Sequence, residues 1–273
     1  MKTVLLIGGY GKIGSKFREK FKKKYKIISI KKNKKFDITN FKTFNKLHQT
    51  KNIDVIINFS GQINKSKIKM YKTIFTGNEN LIRFVKNYKS KKIIIFYLSS
   101  SLVYGYSKNL KRENSTLSPI SIYAKYKVKA EHLFKKSDIK YNIIRLCNVY
   151  GINNKNIISK ILHSFNYKKR FNANNLNVYR NYIHVDDFLN IIQKLIDKKI
   201  TGMTYNVGNQ NLNIFNLIKL IKKKVKGEIL IKNKNKSLKK LSSQKIDINK
   251  IINDINYKPK ITIENFIDKH YAT

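Results

Sequence analysis

Four glycines stand between a short apolar run and a segment of helical periodicity at the start of the chain. The run TVLLI (3–7) precedes GGYGKIG (8–14), and SKFREKFKKK follows. Glycines at this spacing permit a tight turn off a strand and close packing of the next helix on a sheet. Such a turn recurs by chance in many loops, but its place between a first strand and a first helix indicates the β–α turn of an α/β fold.

Strand-like and helix-like segments alternate through the first half of the chain. Apolar runs rich in β-branched residues cover 3–7, 26–30, 54–59, 92–100 and 141–146. Helical periodicity covers 12–24, 40–50, 67–88 and 121–136. Short, nearly continuous apolar strands separated by helices are typical of a parallel sheet covered on both faces. The predicted fold class is therefore α/β, a doubly wound parallel sheet of Rossmann type.

The glycines fit two spacings that bind dinucleotides. Gly9, Gly11 and Gly14 satisfy G-x-G-x-x-G, and Gly8, Gly11 and Gly14 satisfy G-x-x-G-x-x-G. The backbone of such a loop approaches a pyrophosphate closely, and the amides of the following helix face the phosphates. We predict that the cofactor contacts come from Gly8, Gly11, Lys12, Ile13 and Gly14. A β–α turn without a ligand is the alternative.

The end of the second strand bears on which dinucleotide is bound. An acidic residue about 20 positions after the glycines normally receives the ribose 2′-hydroxyl of NAD. Here the strand runs into Lys31, Lys32 and Asn33. Because a cation favours a 2′-phosphate, we predict NADP(H) in preference to NAD(H), with Lys31 as a cofactor residue. Lysine is so common in this chain that a chance lysine is the alternative.

After residue 150 the pattern changes. Residues 152–181 are Asn-rich and poorly periodic after an initial helix, which suits loops around a ligand cleft. Strand and helix patterns return from residue 182 onwards. We predict a cofactor-binding domain over 1–165, to which 181–208 returns, and a smaller C-terminal α/β substrate-binding lobe over 166–273.

Composition limits the classes of partner. The net charge is +44, but the lysines are spread evenly among Ile and Asn, as a genome-wide base bias produces, and no nucleic-acid-binding motif accompanies them. We therefore predict anionic small-molecule ligands and no nucleic acid. The longest apolar stretch, 93–98, is far short of the ~20 residues that cross a bilayer, so no membrane partner is expected.

The sulfur and imidazole side chains are few and scattered. The single cysteine, Cys147, cannot form an internal disulfide, which predicts a reducing, cytoplasmic location. The five histidines show no spacing of the kind that zinc needs. We therefore predict no metal site.

A tyrosine and a lysine stand four residues apart on the predicted helix 121–136. This spacing places Tyr123 and Lys127 on one face, one turn apart. A nearby ammonium lowers the pKa of a phenol, so Tyr123 could exchange a proton with a substrate oxygen while hydride moves to or from a nicotinamide ring. Ser100, in the serine cluster after the fourth strand, would hold the same oxygen by a hydrogen bond.

The order of these motifs resembles that of the extended short-chain dehydrogenase/reductase family, in its epimerase/dehydratase branch that acts on nucleotide sugars. The resemblance covers nearly the whole chain. Further matching segments are DVIINFSG (54–61), SSSLVYG (99–105), RLCNVYG (145–151), RNYIHVDD (180–187), YNVGN (205–209) and DINKIINDINYKP (247–259).

The resemblance implies roles for particular residues. The implied catalytic residues are Ser100, Tyr123 and Lys127, the last two also contacting the cofactor. Further implied cofactor contacts are Asp37, Ile38, Ser60 and Gly61, and implied substrate contacts are Ser101, Asn148 and Arg180. An arginine fork suits the phosphates of a nucleotide diphosphate; a solvated surface charge is the alternative for Arg180.

Departures from the family narrow the reaction. Its 4,6-dehydratases carry Thr-Asp-Glu where this chain has Ser100, Ser101 and Leu102, and its C3/C5 epimerases place a cysteine where Leu102 stands. We therefore predict either a 4-keto sugar reductase or a C4 epimerase. A non-catalytic, dinucleotide-sensing relative is the alternative, and a homodimer is the expected assembly because such folds commonly dimerise.

Overall fold

The first half of the chain alternates strands and helices, as its sequence predicts. The structure is a computed structural model that describes residues 1–30, 36–48, 52–61, 66–88, 92–152 and 156–271. The elements up to residue 150 are β1 (Thr3–Ile7), α1 (Lys12–Phe21), β2 (Lys26–Ile30), α2 (Asn45–His48), β3 (Val55–Asn58), α3 (Lys67–Tyr71), α4 (Gly77–Lys86), β4 (Ile94–Ser100), α5 (Ile122–Lys135), β5 (Lys140–Leu146) and β6 (Asn148–Tyr150).

The second half is richer in strands than its sequence suggests. Its elements are α6 (Ile157–His163), β7 (Arg170–Ala173), β8 (Tyr179–His184), α7 (Val185–Asp197), β9 (Met203–Val207), β10 (Gln210–Asn213), α8 (Ile214–Lys222), β11 (Leu230–Asn233), α9 (Asn249–Ile255) and α10 (Ile263–Tyr271). Residues 152–181 were expected to form loops after one helix, yet β7 lies there and pairs in parallel with β11. This pairing joins segments about 60 residues apart, which local periodicity does not reveal.

The central sheet has six parallel strands in the order β2-β1-β3-β4-β5-β9, flanked by helices. All residues of β1, β3 and β4 are buried, whereas β2, at one edge, is partly exposed. Strands buried on both faces must be continuously apolar, and this explains why their sequences lack alternation. The predicted fold class is confirmed.

The chain divides into two compact units. The first comprises Met1–Val103, Ser121–Arg145 and Ile196–Tyr205, and the second comprises Tyr104–Ile120, Leu146–Leu195 and Asn206–Thr273. The second unit contains a three-stranded sheet, β10-β8-β6, and the pair β11-β7. The assignment of cofactor binding to 1–165 and of substrate binding to 166–273 stays a prediction. Within the described residues, no helix is both long and apolar enough to cross a membrane.

The second unit is tied together by a buried carboxylate at the start of α7. Asp187 accepts hydrogen bonds from the hydroxyl of Tyr257 at 2.6 Å and from the amides of Lys260 and Ile261 at 3.0 and 2.7 Å. An acidic residue in the first turn of a helix is typical of capping. Asp187 instead holds the segment before α10, because that segment brings three donors to one buried acceptor.

We expect Asp187→Asn to lower the free energy of unfolding by about 1–3 kcal/mol, because an amide nitrogen cannot accept and at least one buried donor loses its partner. Urea unfolding at neutral pH measures the change. Asp186→Asn is the matched control, since the Asp186 side chain is 47% exposed and its loss should cost less than about 1 kcal/mol. Equal losses for the two variants would contradict the role given to Asp187.

Candidate functional site

The loop between β1 and α1 leaves little room for side chains at its glycines. Gly8 has a φ of +73°, in the left-handed region that glycine favours. A Cβ at Gly14 would lie 2.7 Å from the Gly8 carbonyl oxygen, and one at Gly9 would lie 2.6 Å from Oγ of Ser29. The amide of Gly11 donates to the Gly8 carbonyl at 2.9 Å, which closes the turn. Gly8, Gly9 and Gly14 are therefore required by the backbone conformation and the packing of this loop.

The start of α1 offers hydrogen-bond donors beside this loop. Gly11 is the N-cap residue, and no side chain among the described residues caps the helix. The first-turn amides, which include those of Lys12 and Ile13, thus carry the positive end of the helix dipole. Close backbone approach together with these amides is what a pyrophosphate needs. The loop therefore fits the phosphates of a dinucleotide.

A second loop, after β3, touches the glycine loop. A Cβ at Gly8 would lie 3.2 Å from the backbone nitrogen of Ser60. Asn58 shapes this second loop, because its Oδ1 accepts from the amide of Ser60 at 2.9 Å and from the hydroxyl of Ser60 at 2.5 Å. Gly61 follows with a φ of +97°. The predicted cofactor residues Ser60 and Gly61 are thus held next to the glycine loop.

Asn58 and Asn78 form a buried amide pair that sequence reasoning missed. Nδ2 of Asn58 donates to Oδ1 of Asn78 at 2.9 Å, and Nδ2 of Asn78 donates to the carbonyl of Ile74 at 2.6 Å. Ile74 lies in a π-helical segment, Lys72–Thr76, between α3 and α4. The local signal for this pair was Asn58, a polar residue at the end of an otherwise apolar strand. Nothing in the sequence around Asn78 indicated that it would be the partner of Asn58.

The predicted adenine contacts lie in a turn before the short helices that follow β2. Oδ1 of Asp37 accepts from the amide of Thr39 at 2.9 Å. Ile38 is buried, and a Cβ at Gly77 would lie 3.0 Å from its Cγ2. Lys31, with Lys32 and Asn33, lies outside the described residues. The predicted preference for NADP(H) therefore stays a prediction from sequence.

Tyr123 and Lys127 lie together on α5, and Lys127 reaches the end of β4. The Lys127 side chain is buried, and its Nζ donates to the carbonyl of Leu98 at 2.6 Å. The same Nζ lies 5.5 Å from the centroid of the Tyr123 ring. A Cβ at Gly61 would lie 3.3 Å from this Nζ, so the ammonium is next to the loop after β3. Ser100, buried two residues beyond Leu98, accepts from the amide of Leu102 at 3.2 Å.

The electrostatics of this pair differ from the expectation. Burial lowers the pKa of Lys127 to about 7, opposed by the negative charge of Glu131. Burial also raises the pKa of Tyr123 to about 12, whereas the sequence suggested that the ammonium would lower it. The physical reason is geometric: Nζ is bound to the Leu98 carbonyl and lies over the tyrosine ring, so desolvation of the phenol dominates.

Two predicted substrate residues line one cavity of the second unit. Asn148 and Arg180 border a cavity of about 290 Å³, together with Phe171 and four residues that follow it. Nη1 of Arg180 donates to the carbonyl of Tyr179 at 2.9 Å and also to that of Ser242. Arg180 is half-buried, and burial lowers its pKa, so it is not a solvated surface charge.

Three further residues, Ser101, His184 and Cys147, are buried. Ser101, the third predicted substrate residue, is buried in the 3₁₀ turn Ser101–Tyr104 of the chain that follows β4. Nδ1 of His184 accepts from the amide of Asp186 at 3.2 Å, which is a structural hydrogen bond. Burial raises the pKa of the Cys147 thiol, as befits a small apolar residue.

Two curated proteins similar to this chain are named as enzymes of nucleotide sugars. A dTDP-D-glucose 4,6-dehydratase from Dictyostelium discoideum is 27% identical over 256 residues, which cover 76% of this chain and 58% of that protein. A GDP-6-deoxy-D-talose 4-dehydrogenase from Aggregatibacter actinomycetemcomitans is 26% identical over 215 residues, which cover 75% of this chain and 73% of that protein. The chain thus spans little more than half the length of the first relative.

Solved structures share the fold. A dTDP-glucose 4,6-dehydratase from Bacillus anthracis, in complex with NAD, superposes with a TM-score of 0.82 at 23% identity, covering 98% of this chain and 95% of that chain. At this identity the likeness establishes the fold.

Residues 4–208 match the family described as the NAD dependent epimerase/dehydratase family. This match covers most of the chain, including both glycine-bearing loops and α5. It confirms the predicted family and the predicted class of cofactor, a nicotinamide adenine dinucleotide. The enzyme names of the relatives support the predicted enzyme class, an NAD(P)-dependent extended short-chain dehydrogenase/reductase. The chain belongs to the NAD dependent epimerase/dehydratase family.

Proposed function

We propose that this chain is an NAD(P)-dependent enzyme that transfers hydride to or from one carbon of a nucleotide sugar, as a 4-keto sugar reductase or as a C4 epimerase. The observation that carries the proposal is the position of Lys127. Its Nζ is bound to the end of β4, lies over Tyr123 and lies beside the loop after β3. A proton-handling pair thus stands next to a loop that fits the cofactor.

The proposed cofactor contacts come from the two touching loops. The pyrophosphate is assigned to the glycine loop and the first turn of α1, namely Gly8, Gly11, Lys12, Ile13 and Gly14. Asp37 and Ile38 are assigned to the adenosine half, and Ser60 and Gly61 to the half beside Lys127. When bound, the nicotinamide ring supplies or accepts a hydride.

Tyr123 is the proposed group that exchanges a proton with the substrate. With a pKa of about 12 the phenol is protonated at neutral pH, which is the form that gives a proton to a ketone oxygen. The ammonium of Lys127 then stabilises the phenolate that is left, and Ser100 holds the substrate oxygen by a hydrogen bond. The protonated phenol is the form required to reduce a ketone, and the phenolate is the form required to oxidise an alcohol.

The substrate assignment rests on Arg180 and Asn148. A guanidinium held by two carbonyls has a fixed orientation at the rim of a cavity, as recognition of a diphosphate requires. Ser101 is assigned to the sugar.

Redox at C4 agrees with the name of the 4-dehydrogenase relative. Residues 100–102 carry no carboxylate, so the general acid and base of a dehydratase are missing at those positions. The homodimer and the cytoplasmic location stay predictions.

We expect Tyr123→Phe to lower turnover by about 10²- to 10⁴-fold with little change in cofactor affinity, because only the transferable proton is lost. The assay supplies NADPH, NADH or NAD⁺ with UDP-, dTDP- and GDP-linked sugars, including 4-keto forms, and follows nicotinamide absorbance and product stereochemistry. Tyr126→Phe, on the same helix with its ring against Tyr71, is the control and should keep its turnover.

The products separate the candidate functions. Net oxidation of NADPH indicates a reductase, and an isomerised sugar without net redox indicates a C4 epimerase. Cofactor binding without turnover of any sugar would favour the dinucleotide sensor. Normal turnover by the Tyr123→Phe variant would contradict the mechanism.

We expect NADPH to bind more tightly than NADH, because Lys31 can pair with the 2′-phosphate. Fluorescence titration of the purified protein measures both affinities. Lys31→Glu should weaken NADPH binding far more than NADH binding, whereas Lys26→Glu, at the opposite end of β2, changes the net charge equally and should leave the ratio unaltered. Tighter binding of NADH by the unmodified chain would reject the preference.

We expect Gly14→Ala to weaken dinucleotide binding by about tenfold or more, since moving the loop loses at least one charge-assisted hydrogen bond to phosphate. Gly202→Ala is the control: its φ is +78° and no described atom lies within 4 Å of the added Cβ. That change should lower stability by about 1 kcal/mol while dinucleotide affinity is retained. Unaltered affinity in the Gly14 variant would show that the loop does not hold the cofactor.

A further inference from the structure

Helix α5 carries a third ionisable side chain on the face of Tyr123 and Lys127. Glu131 follows Lys127 by four residues, so the three side chains form one row, with one turn between neighbours. Glu131 is completely buried and Lys127 is 2% exposed. Charged side chains are almost never buried this fully without a specific partner.

The partners of Glu131 come from the two strands beneath α5. Nη2 of Arg145 donates to Oε2 at 2.8 Å, and Nε of Arg145 donates to Oε1 at 3.1 Å. The Arg145 side chain is itself 1% exposed. Oγ of Ser99 donates to Oε1 at 2.5 Å. Glu131 therefore joins α5 to both β4 and β5.

These contacts are placed around the proposed catalytic residues. The three consecutive residues at the end of β4 bind Lys127 through the Leu98 carbonyl, bind Glu131 through Ser99, and provide Ser100. Glu131 thus fixes the position of α5 along β4 at the helical turn that carries Lys127. A shift of α5 along the strand would move Lys127 away from the Leu98 carbonyl.

Few charged side chains face Lys127 in the part of the chain that the structure describes. The titratable groups there are Tyr123 and Glu131 on α5 and Tyr97 on β4, whose ring centroid lies 5.1 Å from Nζ. Arg145 on β5 reaches this cluster through Glu131. The tyrosines are neutral at neutral pH because burial raises the pKa of both. Among the described residues, Glu131 is therefore the negative charge that favours an ammonium at this buried position.

We propose that Glu131 is a positioning residue that acts through Lys127, holding the lysine in its charged form and at its position along β4, with Arg145 as the counter-ion of the carboxylate. This inference rests on the proposed function, in which the ammonium of Lys127 stabilises the tyrosinate. A Glu131–Arg145 ion pair with a purely structural role would stabilise the protein without affecting the protonation of Lys127.

The first measurement is the pH profile of turnover. Glu131→Gln keeps the shape and removes the charge, so the ammonium should be lost at lower pH and the basic limb should move down by about one pH unit or more. Asp187→Asn removes another buried, hydrogen-bonded carboxylate, in the second unit, and should lower stability without moving this limb. An unmoved limb in the Glu131→Gln variant overturns the proposal.

The second measurement does not use activity. Because the pKa of Lys127 falls from 10.5 to about 7 on folding, the unfolded chain binds the extra proton between these values, and stability rises with pH across that window. Lys127→Met abolishes this rise, so the difference between the two unfolding free energies isolates it. In the Glu131→Gln background the rise should begin at lower pH. An unchanged onset overturns the proposal even if no sugar is turned over, while absence of turnover alone rejects only the proposed function.

A double variant guards against a folding failure. Glu131→Gln leaves Arg145 buried beside a neutral amide, which can prevent folding. Glu131→Gln with Arg145→Met removes both charges and should displace the basic limb and the stability onset in the same direction but by less, because the loss of the positive charge of Arg145 partly offsets the loss of the carboxylate. Normal values for both quantities in the double variant overturn the proposal.

Discussion

The ion pair between Glu131 and Arg145 is the interaction on which the proposed site depends. Two charged groups removed from water cost several kcal/mol each unless their geometry and remaining hydrogen bonds compensate. Here two guanidinium nitrogens and the Ser99 hydroxyl satisfy one carboxylate. The pair connects α5 with β4 and β5, and the proposed catalytic residues lie on the same helix and the same strand.

The polar groups of the first unit are concentrated near the ends of the strands. The interiors of β1, β3 and β4 are apolar, and Asn58, Ser99 and Ser100 close β3 and β4. Along the sheet, β1 is flanked by β2 and β3, so the chain reverses its direction of travel between β1 and β3. Ligands of doubly wound sheets bind at such a switch point. The glycine loop and the loop after β3 meet there, and the glycine loop could not carry a side chain at Gly8 or Gly14.

Sequence reasoning succeeded where the signal is local. A continuous apolar run is enough to predict a buried parallel strand, and a spacing of four places Tyr123 and Lys127 on one helical face. It failed where the partner is distant in sequence. The pairing of β7 with β11, the bonds from Asp187 to the segment before α10, and the Asn58–Asn78 pair each join residues with no common periodicity. The pKa of Tyr123 belongs to the same class, because it depends on how deeply the phenol is buried in the folded chain.

The sequence by itself determined the strand and helix order of the first half, the glycine loop and the family to which the chain belongs, because each follows from residue type at short spacing. Only the tertiary structure decided which polar groups contact one another and how far each is removed from water. It brought Arg145 to Glu131, turned Lys127 toward the Leu98 carbonyl, and desolvated the phenol of Tyr123. Hydrogen bonds and pKa values depend on three-dimensional neighbours and on burial, neither of which is encoded in the spacing of residues along the chain.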